Sequence, residues 1–239
     1  MGTTGVGTPG GARLALALDG DDLAAARSLA GRLRPFFPVA KVGLELFSAA
    51  GGAAVELLAA DGFEVFLDVK LHDIPTTVGR AARVLGRLGA RYVTVHAAGG
   101  TEMVAAAIEG LAAGADGAGA GPPGVLAVTV LTSELHADAR TVAERAGLAR
   151  AGGCEGVVCA AGDLPTVRAA APGLLTVVPG IRLAGAPVHD QGRAATPEAA
   201  VAAGAGLLVV GRAVTGAGDP EAVAARLAWL VNGARPGSR

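Results

Sequence analysis

The segment FLDVKLHDIPTTVG places Asp68, Lys70 and Asp73 within six residues of one another. Read as a strand, its side chains alternate in direction, so Asp68 and Lys70 share one face. On an enclosed face the pair sets an ammonium beside a carboxylate, and the carboxylate favours the charged lysine. Such a lysine is suited to handing a proton to a carbanion formed beside it, more than to acting as a base. Asp73 falls past the end of the strand, before Pro75 opens a helix, and is free to reach an adjacent site or subunit. The plainer reading of D-x-K-x-x-D alone is an ion-pair network on a rim.

The elements that must hold these residues alternate. Short β-branched or Leu-rich runs predict strands at Arg13–Leu18, Val39–Gly43, Val65–Val69, Tyr92–His96, Val125–Val130, Gly156–Cys159, Leu174–Val178 and Leu207–Val210. Ala-rich amphipathic stretches between them predict helices, among them Asp22–Leu33, Thr77–Leu88, Thr101–Ala112, Ala139–Ala151 and Pro220–Val231. Strand and helix in alternation imply right-handed crossovers and a parallel sheet. Eight such units in 239 residues predict one α/β domain, a (β/α)8 TIM barrel over 13–232, with disordered tails at 1–12 and 233–239. The Gly-rich stretch Gly114–Gly124 reads as a flexible surface loop.

Barrels carry their chemistry at the C-terminal ends of the strands. Those ends hold Asp19, Lys41, Asp68 with Lys70, His96, Thr132, Arg182 and Arg212 in turn. Charges embedded in apolar runs are costly unless paired or used, so their gathering on one rim points to an active site. His96 either lines the pocket or is a satisfied structural histidine. His72 falls on the opposite strand face and reads as a packing residue, while His136 and His189 read as loop residues.

Composition narrows the partners. The chain is 51% hydrophobic and 17% charged with a net charge of −1, so it has apolar mass for a core and no positive field for nucleic acid. Aromatic residues make up 3%, too few to stack exposed bases. The mean hydropathy of +0.49 comes from Ala, Val and Leu spread along the chain. The long uncharged run Gly117–Ser133 is broken by Pro122, Pro123 and glycines, so no membrane span is expected. The N-terminal MGTTGVGTPGGAR lacks the charged start of a secretory signal. Cys154 and Cys159 match neither a disulfide framework nor a zinc pattern and read as buried reduced thiols of a cytoplasmic protein. No H-x-x-x-H or equivalent spacing suggests a metal centre. A small soluble ligand is the expected partner.

Five separated motifs then become recognisable: KVGLELF at 41–47, FLDVKLHDIP at 66–75, VLTS at 130–133, VPGIR at 178–182 and VVGRAVT at 209–215. In order and spacing they resemble the orotidine 5′-phosphate decarboxylase family over roughly residues 13 to 231. The resemblance implies an (α/β)8 barrel, a homodimer, a nucleotide substrate, and neither metal nor organic cofactor. It implies that Lys70 protonates C6 of the pyrimidine as CO₂ leaves, that Asp68 lies close to the departing carboxylate, and that Asp73 comes from the partner subunit. Lys41 would complete an alternating Lys–Asp–Lys–Asp array, Asp19 would bind ribose hydroxyls, and Thr132 the base edge. Arg182, Gln191, Gly211 and Arg212 would grip phosphate, with Ile74 and Thr77 as further substrate contacts. The long segment Gly180–Pro197 reads as a lid that Arg182 begins and from which Gln191 reaches the phosphate.

The sequence departs from its relatives at few places. Thr76-Thr77 follows HDIP where many relatives have Asn-Thr, and the first strand ends ALDG. Neither removes a proposed charged group. Two rival readings share the fold. One is a Mg²⁺-dependent sugar-phosphate decarboxylase of the 3-keto-gulonate 6-phosphate kind, which carries a metal-binding glutamate where this chain has Lys41. The other is a silent nucleotide binder, which would need no proton donor.

Overall fold

The computed structural model describes residues 11–116, 121–134, 138–184 and 193–233. Eight strands pair in chain order, all parallel, into a closed barrel: β1 (Arg13–Leu18), β2 (Val39–Val42), β3 (Glu64–Leu71), β4 (Tyr92–His96), β5 (Gly124–Val128), β6 (Gly156–Val158), β7 (Leu175–Val178) and β8 (Leu207–Val210). The helices between them are α1 (Leu23–Leu33), α2 (Leu44–Ala50), α3 (Gly52–Ala60), α4 (Pro75–Leu85), α5 (Gly100–Ala115), α6 (Ala139–Ala151), α7 (Leu164–Ala170), α8 (Pro197–Ala203), α9 (Arg212–Thr215) and α10 (Pro220–Gly233). This is the predicted (β/α)8 TIM barrel.

Local chemistry explains the boundaries. Asp22 caps α1 by accepting the Ala24 and Ala25 N–H groups at 2.9 and 3.0 Å. Pro75 and Pro197 stand at the starts of α4 and α8, where a missing N–H costs nothing. The strands are apolar because both of their faces are covered. One apolar layer lies between barrel and helices, with Leu16, Leu18, Val93, Val95, Met103 and Leu111 in it. A second fills the lumen, with Ala15, Val39, Phe66, Tyr92, Leu126, Val177 and Leu207. At the N-terminal mouth, Arg13 pairs with Glu64 at 2.5 Å and Arg91 pairs with Glu155 while lying over the Tyr92 ring. That end is built for closure, leaving the C-terminal mouth for chemistry.

Several boundaries read from the sequence need correction. Strand β3 runs two residues beyond Val69, to Leu71, and β5 ends at Val128, before Val130. The span between β2 and β3 holds two helices, α2 and α3. Most consequentially, Gly114 and Ala115 belong to helix α5 and Gly124 opens β5, so the Gly-rich stretch is not one loop; residues 117–120 lie outside the described residues. The glycine at 114 serves close packing: a Cβ there would sit 2.1 Å from the Arg83 carbonyl oxygen on α4. Likewise a Cβ on Gly110 would sit 2.3 Å from the Gly79 oxygen. Composition alone does not distinguish a glycine that bends a loop from one that lets two helix backbones touch. Of the two tails, residues 1–10 and 234–239 lie outside the described residues, Ala12 packs against the core and Gly233 closes α10. Among the described residues no helix is long and apolar enough to cross a membrane.

Candidate active site

At the C-terminal mouth a pocket opens over an apolar floor of Ala17, Phe66, Val128, Val158 and Val209. Alternation along each strand turns these residues inward. Continuing that alternation past the floor brings Asp19 after β1, Lys41 on β2, Asp68 on β3 and Gly211 after β8 to the pocket wall. Lys70, Thr132, Arg182 and Arg212 complete the polar lining. Eight of the residues picked out by sequence are thus gathered from six strands.

The charged side chains form a continuous chain. Lys70 Nζ lies 2.8 Å from Asp68 Oδ1, Asp68 Oδ2 lies 3.6 Å from Lys41 Nζ, and Lys41 Nζ lies 3.8 Å from Asp19 Oδ1. Lys41 and Asp68 are nearly enclosed, Lys70 is about one-third exposed and Asp19 is open to solvent. Burial alone would push the Asp68 carboxyl up. The Lys41 and Lys70 ammonium groups, with hydrogen bonds from Lys70 and Thr94, outweigh it and hold the carboxyl below the ordinary carboxylate range. Gly43 leaves room for this chain: a Cβ there would meet Asp19 Oδ1 at 3.0 Å and Lys41 Nζ at 3.1 Å.

Asp68 and Lys70 do meet, but not on a regular strand. Leu67 pairs with Val93 and Leu71 pairs with Val95, so Asp68, Val69 and Lys70 together face the single residue Thr94. Lys70 has φ +49°, the left-handed region that a non-glycine residue occupies at a cost of about 1–3 kcal/mol. A bulge of this kind re-aims a side chain. Thr94, fully buried, accepts the Lys70 N–H at 2.8 Å and donates to Asp68 Oδ1 at 3.0 Å. Sequence reasoning passed over Thr94. Its signal was a hydroxyl in the middle of the apolar run YVTVH, on the same face as Tyr92.

The opposite wall is cationic. Arg182 is 7% exposed; its Nη1 donates to the Ile181 carbonyl at 2.9 Å, and its Nε has no hydrogen-bond partner among the described residues. Burial, and then the neighbouring Arg212, lower its affinity for its proton. Two guanidinium groups brought together, one of them buried, suit a multiply charged anion. The chain that follows leaves and returns at one point. Arg182 N–H donates to the Ala195 oxygen at 2.9 Å and Ala195 N–H to the Gly180 oxygen at 3.3 Å. At the return, Arg193 is held by Asp163 at 2.7 Å and donates to the Leu131 oxygen at 3.2 Å. The end of the segment read as a lid is therefore tied to the loop that carries Thr132. Pro197, its last residue by sequence, already belongs to α8.

Other expected residues lie elsewhere. Asp73, Ile74 and Thr77 are exposed beyond β3 and do not line this chain's pocket; Asp73 Oδ1 accepts the Ile74 N–H at 2.6 Å. Ile74 presents 65% of its surface. Gln191, His136 and His189 fall outside the described residues. His96 does not line the pocket: its Nδ1 accepts the Ala98 N–H at 3.2 Å and its ring stacks on His72 with centroids 5.1 Å apart. Cys154 and Cys159 are buried free thiols, each pushed up to about 12 by burial.

Residues 12–227 match the profile of the family described as orotidine 5′-phosphate decarboxylase / HUMPS. A protein from Halorhodospira halophila named orotidine 5′-phosphate decarboxylase is 47% identical over 234 residues, covering 92% of this chain and 96% of that one. One of the same name from Anaeromyxobacter sp. (strain K) is 48% identical over 230 residues, covering 90% and 96%. Among solved structures, orotidine 5′-phosphate decarboxylase from Lactobacillus acidophilus superposes with a TM-score of 0.78 at 35% identity, covering 92% of this chain and 99% of that one.

Proposed function

We propose a mechanism on one premise: the chain belongs to the orotidine 5′-phosphate decarboxylase / HUMPS family, and it decarboxylates orotidine 5′-monophosphate to uridine 5′-monophosphate in pyrimidine synthesis. The bond from C6 of the pyrimidine to its carboxylate breaks, the electron pair stays on C6, and CO₂ leaves neutral. The Lys70 ammonium gives its proton to C6, and the resulting amine is reprotonated from water. A fixed cation beside C6 offsets the developing negative charge without solvent having to reorganise. The observation that carries this reading is the Lys70–Asp68 contact of 2.8 Å inside a pocket whose far wall holds Arg182 and Arg212.

In this reading the nucleotide lies across the pocket. Its phosphate meets Arg182, Arg212 and Gly211, with Gln191 reaching it from the lid. Asp19 and Lys41 take the ribose hydroxyls, Thr132 the base edge, and Asp68 sits against the departing carboxylate. Phosphate binding energy, remote from C6, is then available to close the lid and hold the reacting carbon at Lys70. Asp73, with Ile74 and Thr77, serves the site of a second copy in a homodimer. Their exposure beyond β3, outside their own pocket, supports that assignment. The reaction needs neither metal nor organic cofactor, and the enzyme works in the cytoplasm.

The Mg²⁺-dependent sugar-phosphate reading would set a divalent cation beside Asp68. Lys41 already holds an ammonium 3.6 Å from that carboxylate, and like charge repels the cation. The deciding experiment follows absorbance loss on adding orotidine 5′-monophosphate to purified protein in EDTA, with Lys70→Ala alongside. Metal-free conversion by the wild type, abolished in the variant, is expected. No conversion by folded wild type, with Mg²⁺-dependent turnover of a sugar phosphate or with product binding alone, would overturn the mechanism in favour of one rival or the other.

A further inference from the structure

On the functional reading above, Thr94 bears on the reacting array. Thr94 is fully enclosed in the lumen, does not line the pocket, and stands alone opposite the three residues of the β3 bulge. A hydroxyl has one proton to give and lone pairs to accept with. Here both capacities are used, and both on the reacting array: the Lys70 N–H is accepted at 2.8 Å and Asp68 Oδ1 receives the hydroxyl proton at 3.0 Å. The same carboxylate oxygen takes the Lys70 ammonium at 2.8 Å. One side chain thus fixes the backbone of the proton donor and the carboxylate that orients the donor's ammonium.

We propose that Thr94 is a positioning residue of the decarboxylation: its hydroxyl clamps the left-handed Lys70 backbone and the Asp68 carboxylate into the one arrangement that aims the Lys70 ammonium at C6. Without the hydroxyl, the Lys70 N–H in the bulge loses its acceptor and Asp68 is free to turn toward Lys41, 3.6 Å away. The ammonium then follows the carboxylate and leaves its line to C6. Because Thr94 does not touch the pocket, ground-state binding is unaffected.

The test uses Thr94→Val, which keeps the shape and removes the hydroxyl, and Thr94→Ser, which keeps the hydroxyl. Hydrogen bonds to charged groups at this strength predict a fall in kcat of roughly 10- to 100-fold for the valine variant. KM and affinity for uridine 5′-monophosphate stay within about threefold, the signature of an interaction made for the transition state. Thr94→Ser retains kcat to within about fivefold, which a packing role would not restore. The acid limb of kcat/KM moves to higher pH in Thr94→Val. Asp68 loses a bond that favours its ionised form while still facing Lys41 and Lys70. Should the valine variant fail to fold, Thr94→Ala carries the same expectation. A folded Thr94→Val with wild-type kcat, or a serine variant as impaired as the valine, refutes the proposal. In both cases wild-type turnover in the same assay leaves the functional reading standing. A wild type inert toward orotidine 5′-monophosphate overturns that reading and this inference with it.

Discussion

Replacing Arg182 by methionine separates stability from ligand binding in a way that tests the anion site directly. Arg182 is 7% exposed, its side chain donates to the neighbouring Ile181 oxygen, and its Nε has no partner among the described residues. It also faces the like charge of Arg212. An unsatisfied buried donor costs about 1–3 kcal/mol, and methionine of similar length fills the space without it. The free variant should therefore be as stable as wild type or up to about 3 kcal/mol more stable in urea unfolding. Ligand binding moves the other way. Losing a charge-assisted contact to phosphate costs about 1.5–3 kcal/mol, roughly a 10- to 150-fold weaker affinity for uridine 5′-monophosphate by calorimetry.

The two effects cross in one titration. At a concentration of about 100 times the wild-type Kd, the nucleotide stabilises wild type by about 2.7 kcal/mol. A variant bound about 30-fold more weakly gains only about 0.9 kcal/mol at that concentration. The stability order seen without ligand should then narrow or reverse with it. A methionine variant that is destabilised by more than about 1 kcal/mol while keeping wild-type affinity would refute the reasoning, since Arg182 would then be a structural residue.

Four further outcomes follow from the same geometry. Lys70→Ala should lower kcat by at least about 10⁴-fold, because proton donation and a fixed cation are lost together; turnover within tenfold of wild type in EDTA would contradict it. The folded-state Asp68 carboxyl lies below its ordinary value, so its stabilising contribution is full above the unfolded value and is lost as pH falls through the lower folded one. Urea unfolding between about pH 4 and pH 2 should accordingly be steeper in pH for wild type than for Asp68→Asn, and equal slopes would count against it. Mixing inactive Lys70→Ala and Asp73→Ala chains should restore about one quarter of wild-type activity, since each mixed dimer rebuilds one complete site; no recovery after verified subunit exchange would remove Asp73 from the partner's site. Cys154 and Cys159, pushed up to about 12, should resist iodoacetamide at pH 8 until the protein is unfolded.

Much of the site was readable along the chain because strand geometry is local. Barrels gather the C-terminal ends of their strands on one rim, so Asp19, Lys41, Asp68, Thr132, Arg182 and Arg212 could be assigned to it from the strands that carry or precede them. Helix starts were legible for a similar reason: Asp22 caps a backbone two and three residues away. Alternation failed where its premise failed. It made Asp68 and Lys70 neighbours on a regular strand, whereas they meet across a bulge with Lys70 at φ +49°. Glycine misled in the same way, since Gly114 packs one helix backbone against another.

The sequence by itself determined the eight-fold strand–helix alternation and the set of charged residues at the C-terminal ends of the strands. These depend on periodicities of two and 3.6 residues and on motif order, which a single chain carries in full. Only the tertiary structure decided the rest. It set Thr94 on β4 opposite the bulge of β3, brought Arg182 from β7 against Arg212 from β8, and tied Arg193 to both Asp163 and the Leu131 oxygen. It also turned Asp73, Ile74 and Thr77 away from their own pocket. Each of these depends on which residue of one strand or loop stands beside which residue of another. Such pairing is fixed by closing the barrel, not by any local preference along the chain.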